Sequence, residues 1–196
     1  MPTPRQARAP RPPGKIPDRA SLHEAALRHL ARFAATEAGL LRVLDRRILR
    51  WQHATESAPE TVVPARAAAR EVVRALTASG MLDDAGFAAA RSRRLVRAGR
   101  SRVAVSAHLA AKGVDAETAG AVLPDAGAEF LAAVAFARRR RIGPFRSPTG
   151  ETGAEADGTR EMGMLARAGF PRDVAERALR LEPDEAAALL AELKRG

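Results

Sequence analysis

The chain has no cysteine and no tyrosine, a single tryptophan and six phenylalanines. Without thiols there is no disulfide and no thiolate metal site, and a reducing compartment is permitted, so the cytoplasm is the expected location. No apolar run is long enough to span a bilayer. Residues 1–20 hold six prolines and five positive charges but no apolar segment, so neither a secretory signal nor an anchor is expected there, only a disordered basic tail. No phosphate-cradling Gly-x-x-x-x-Gly-Lys-Ser/Thr loop occurs, and no Gly-x-Gly-x-x-Gly, so a nucleotide cofactor has no support.

Candidate chemistry is equally sparse. His23, His29, His53 and His108 lack the spacing that places two ligands on one helix face, and no zinc site is expected. Asp83-Asp84 could be imagined on Mg²⁺, yet two carboxylates just before an apolar helical run are better explained by helix capping, with Asp84 as that helix's cap and Ser101 and Asp115 as the caps of the next two. No nucleophile with a base and no poised acid–base pair is found. The expectation is a protein that is not an enzyme and carries no cofactor.

What the chain does have is helix formers and positive charge. Ala, Leu, Arg and Glu are abundant and alternating segments are absent, which predicts an all-α fold. Breaks fall at Pro59, Pro64, Gly80, Gly99, Gly113, Pro124, residues 143–158 and Gly169. Lys and Arg total 33 against 23 Asp and Glu, a net charge of +10, and only Lys15, Lys112 and Lys194 are lysines. A balance this basic points to a polyanionic partner.

An internal repeat organises the helices. Leu109-Ala110-Ala111-Lys112-Gly113-Val114 recurs 56 positions later as Leu165-Ala166-Arg167-Ala168-Gly169-Phe170, with Ala119 and Leu123 falling on Ala175 and Leu179. Upstream, Phe87-Ala88 pairs with Phe130-Leu131 at an offset of 43, so an insertion lies between, in the Gly, Pro, Thr and Ser rich residues 142–159. A fainter first copy sits 65 residues earlier, placing Leu30, Arg32, Leu40 and Leu44 over Leu95, Arg97, Val105 and Leu109. The expected organisation is three tandem three-helix units, 21–82, 83–125 and 126–182, with a C-terminal helix over 183–196. Such units stack into an elongated, curved array.

Residues 91–102 contain Arg91, Arg93, Arg94, Arg97, Arg100 and Arg102 and no acid. A solvated helix face normally mixes signs, so this run suits phosphates. Arg138, Arg139, Arg140 and Arg141, followed by Arg146, form a second patch in the corresponding helix of the third unit. Base readout is disfavoured: in a helix-turn-helix reading the recognition helix would be residues 115–123, which carry two acids and no Arg, Lys, Asn or Gln. Binding through the backbone of single- or double-stranded DNA remains the expectation. Trp51 could stack on a base but is expected to pack inside the first unit.

Several stretches together resemble the RecX family over most of the chain beyond its basic tail. They are Ala25-Ala26-Leu27 with Leu30 and Phe33; Gly80-Met81-Leu82-Asp83-Asp84 before Phe87-Ala88; Leu109 through Val114; Arg138 to Arg141 with Ile142-Gly143-Pro144-Phe145; and Ala168-Gly169-Phe170. The form with the arginine run is similar to alphaproteobacterial members. The resemblance implies a modular helical regulator that binds RecA nucleoprotein filaments and lowers RecA recombinase, ATPase and coprotease activity in DNA repair and the SOS response. A monomer is expected. His29 and His108 depart from the aromatic and acidic residues common in relatives. The alternative is a general nucleic-acid-binding architectural protein that serves without RecA.

Overall fold

The computed structural model describes residues 15–146 and 154–195, and every regular element among them is helical. In order they are α1 (Arg19–Leu30), α2 (Glu37–Thr55), α3 (Val63–Ala78), α4 (Asp84–Arg97), α5 (Arg102–Lys112), α6 (Ala116–Ala121), α7 (Ala126–Arg140), α8 (Ala154–Arg167), α9 (Arg172–Leu179) and α10 (Pro183–Arg195). The all-α class is as the composition requires. The chain divides into two compact units, Met1–Leu82 and Asp83–Gly196.

In the first unit α1, α2 and α3 bury a shared core. Leu22 and Ala26 of α1, Leu40, Leu44 and Ile48 of α2, and Val72 and Leu76 of α3 are almost wholly removed from solvent. Their three- and four-residue spacing is what puts them on one stripe of each helix. Trp51 packs against this core, in line with the structural reading of that residue. Of the residues expected as a disordered tail, 15–20 are described: Pro17 is buried, Ile16 packs on the core, and α1 starts at Arg19 because the Asp18 carboxylate accepts from the Ser21 N–H at 2.9 Å. Residues 1–14 lie outside the described part.

The second unit holds α4 to α10. Ala88, Val105, Leu109, Val114 and Ala119 form one cluster, shared by α4, α5, the turn after it, and α6. A larger cluster surrounds α7, whose Ala132, Ala133, Val134, Ala135 and Ala137 are all buried against Leu165, Phe170, Val174, Ala178 and Leu190. Four alanines in that run leave room for neighbours to approach on several sides at once, so α7 is the unit's central rod. Buried Ser92 donates to the carbonyl of Val122 at 2.6 Å and so satisfies the end of α6.

Two of the three caps read from the sequence, Ser101 and Asp115, are observed, and Asp125 caps α7 in the same way. Ser101, Asp115 and Asp125 each accept from a backbone N–H three residues on. For α4, however, the cap is Asp83, which accepts from Gly86 N at 2.8 Å, while Asp84 is already the first helical residue. The repeated Gly stop is geometrically reproduced: Gly113 and Gly169 have φ +83° and +86°, and the N–H of Val114 reaches Leu109 O, and that of Phe170 reaches Leu165 O, at 3.1 Å each. Helices α4 and α7 correspond by their caps, Asp83 with Asp125 and Gly99 with Arg141, one residue out of register with the Phe87–Phe130 pairing. The expected insertion over 142–159 is also partly ordered, since Gly143–Phe145 forms a 3₁₀ turn and α8 begins at Ala154. Alanine and glutamate in its first turns favour helix over loop. Residues 147–153 lie outside the described part.

Candidate arginine surface

Helix α4 carries its arginines on two faces. Ala88, Ser92 and Val96 face inward, so at about 100° per residue Arg93, Arg94 and Arg97 cluster on the opposite, exposed side. Arg91 lies round the helix, over α5, where its Nε–H donates to Nε2 of His108 at 2.8 Å. Partial burial, then the positive charges of Arg91, Lys112 and Arg100, hold the His108 pKa below its ordinary value. The imidazole is therefore a neutral acceptor that orients Arg91 and adds no charge.

The turn after α4 sets the rest of the site. Gly99 has φ +70°, and a Cβ there would lie 2.6 Å from the Phe136 backbone nitrogen, so only glycine lets the end of α4 rest directly on the backbone of α7. That contact carries Arg97 to Arg138 and Arg139. Together with Ala135, Leu190 and Leu193 they line a cavity of about 320 Å³. Arg139 donates to the Ala98 carbonyl, which satisfies the end of α4 and ties the two helices together.

The remaining candidates are dispersed. Arg140 lies over the Phe136 ring at 5.6 Å. Arg141 ends α7 in the left-handed region, φ +55°. Arg102 sits at the start of α5, with Nη1 donating to the Pro124 carbonyl at 2.5 Å and its backbone N–H donating to Glu129 Oε2 at 2.6 Å. Glu129 is buried, and its pKa is raised by that burial against the opposing pull of the Arg102 N–H and guanidinium. Arg100 is exposed on the turn between α4 and α5.

Two contrasts define the surface. Among the described residues, none of the ten candidate guanidiniums has a carboxylate oxygen within 4.0 Å, whereas Arg172 is 2.7 Å from Glu176, which also meets Arg180. Arg146, expected to extend the second patch, instead makes a bidentate pair with buried Glu161, at 2.9 and 2.7 Å, beside the Gly143 N–H. Arg146 is thus a structural clamp on the turn after α7. A guanidinium held by carboxylates has little left for a phosphate; one without them offers its planar fork to a polyanion. Sequence reasoning missed the aliphatic wall from α10: Leu190 and Leu193, three apart, signal an inward stripe but not that it lies beside arginines.

Among the described residues no helix is long and apolar enough to cross a membrane, and no group of three or more His, Asp or Glu could hold a metal. The protein-family model described as the second three-helix domain of RecX matches residues 83–123, that is, α4 to α6. The chain is 34% identical over 187 residues to the regulatory protein RecX of Myxococcus xanthus, an alignment that covers 93% of this chain and 96% of that protein. The chain belongs to the RecX family. Other RecX proteins match over shorter stretches. That of Agrobacterium fabrum is 32% identical over 111 residues, covering 57% of this chain and 58% of its own length. That of Mycobacterium ulcerans is 43% identical over 108 residues, covering 53% and 60%. Residues 83–123 of this RecX-family chain carry Arg91, Arg93, Arg94, Arg97, Arg100 and Arg102.

Proposed function

We propose that this chain regulates RecA by binding the RecA filament on DNA, lowering its ATPase, recombinase and coprotease activity, with Arg93, Arg94, Arg97, Arg138 and Arg139 contacting the filament or its phosphates. The observation that carries this is the meeting of Arg97 with Arg138 and Arg139, from two acid-free patches far apart in sequence, at one cavity where no carboxylate of the described residues lies within salt-bridge distance of them. Such an arrangement repels itself and costs stability unless an anion occupies it. Membership of a family of regulatory proteins supplies the class of activity.

The test is RecA-dependent ATP hydrolysis on single-stranded DNA with increasing amounts of this protein. Inhibition that the triple change Arg93→Glu, Arg94→Glu, Arg97→Glu abolishes supports the reading; no change at several-fold excess over filament sites refutes it. A general architectural protein is separated by pull-down, since it would bind bare DNA as well as it binds the filament.

A further inference from the structure

The first unit contains a second basic groove, unlike the first in that it is built around an exposed ring. The chain leaves α1 through a turn in which the N–H groups of Arg32 and Phe33 both donate to the His29 carbonyl, at 3.1 and 3.0 Å. This keeps Phe33 beside His29, with ring centroids 5.3 Å apart, and leaves it 52% exposed. Across from it α2 presents Arg47 and Arg50. With Arg28 and Arg32 of the α1 side, these line a groove of about 230 Å³ whose floor includes buried Leu44.

The groove's charge is hardly compensated. Glu24 meets Arg28 at 3.7 Å, an exposed pair worth little. Arg32 lies over the Phe33 ring at 5.3 Å. Arg50 uses its Nε–H on the Arg46 carbonyl, and Arg47 makes no hydrogen bond or ion pair with a described residue.

We infer that this α1–α2 groove is a binding site for single-stranded nucleic acid, with one base stacked on Phe33 and the flanking phosphates on Arg28, Arg32, Arg47 and Arg50. An aromatic face set among guanidiniums is the arrangement that single strands use, because every base has a stacking face and every linkage a charge. Duplex is excluded from the stack, since its bases are already covered. Arg32 moves from the ring to a phosphate as the base arrives, so the ring face is protected when empty and free when needed. The cavity at Arg97, by contrast, has aliphatic walls and no free ring. This inference does not depend on RecA.

The test compares two labelled single strands of equal length, one of thymidines and one abasic, titrated against the full chain by fluorescence anisotropy. Wild type is expected to prefer the strand with bases. Phe33→Ala is expected to weaken thymidine-strand binding by roughly 5- to 150-fold, the range for one lost base–aromatic stack, and to leave the abasic strand unchanged. Phe33→Trp restores the preference, and Arg47→Glu with Arg50→Glu weakens both strands. Because Phe33 is half exposed, its variants keep the first unit's core. Equal binding of both strands by wild type, or the same affinities in Phe33→Ala, overturns the inference. So does binding of an acidic peptide in preference to either strand. Loss of strand preference beside unchanged RecA inhibition supports this site; failure of RecA inhibition alone bears only on the proposed regulatory role.

Discussion

Replacing Gly99 with alanine tests the contact that brings the two arginine patches together. The new Cβ would stand 2.6 Å from Phe136 N, 2.9 Å from Phe136 Cα and 3.1 Å from the Ala135 carbonyl carbon, all backbone atoms that cannot rotate away. Two costs combine. An L-residue in the left-handed region costs about 1–2 kcal/mol. Forcing a methyl group into packed surroundings costs about 1–3 kcal/mol more. Gly80 separates the two, because its φ is +73° while nothing lies within 4 Å of its Cβ position. Gly80→Ala is therefore expected to lose about 1–2 kcal/mol and Gly99→Ala about 2–5 kcal/mol. For a chain of this size each kcal/mol lowers Tm by about 2–4 °C, so Gly99→Ala should melt roughly 4–20 °C below wild type. Thermal unfolding followed by far-UV circular dichroism reads both variants side by side. Where Gly99→Ala still folds, α4 must lift from α7 and part Arg97 from Arg138 and Arg139, so the proposed inhibition of RecA should fall further than in Gly80→Ala. Equal Tm losses for the two variants would refute the close approach of α4 to α7.

Three other outcomes are expected. If six to ten phosphates are engaged, affinity for the nucleoprotein filament falls by roughly 10³- to 10⁵-fold between about 50 and about 200 mM salt, and a flat response would exclude phosphate contact. The lowered pKa of His108 means that the unfolded chain takes up its proton first, so the stability it contributes is present above 6.5 and is lost as pH falls through its folded value; His108→Gln should flatten the slope of Tm against pH over about pH 5–7. Glu129, whose pKa burial raises, acts in the opposite sense: its contribution is present below 4.5 and is lost as pH rises through its folded value. Ser101 is buried, caps α5 at Ala104 N and donates to the Ala168 carbonyl at 2.6 Å. Ser101→Ala is expected to cost about 1–3 kcal/mol, the cap plus an unsatisfied carbonyl, measured by denaturant unfolding.

Much of the candidate site was legible before any coordinates. The acid-free arginine run of residues 91–102 and the run from Arg138 to Arg141 stand in the sequence as such, and their lack of carboxylate partners follows partly from their having no acid three or four residues away. Arg146 shows where that reasoning stops. Its partner Glu161 lies beyond the turn after α7, 15 residues on, and no spacing rule connects them. Phe33 shows the converse. Its exposure was not read from the sequence, because it follows from the turn at His29, which takes the chain off the helix before the buried stripe comes round again.

By itself the sequence determined the all-helical class, two of the caps, both Gly stops of the repeat, the charge and the family resemblance. These depend on neighbours within a turn or two, on 3.6-residue periodicity, and on glycine's freedom at positive φ, all of which are local properties. Only the tertiary structure decided which arginines meet, which one is clamped by a buried glutamate, and which ring stays in solvent. Those outcomes depend on close approach between helices distant along the chain, such as α4 resting on α7 at Gly99, and that approach is set by the shapes of packed side chains.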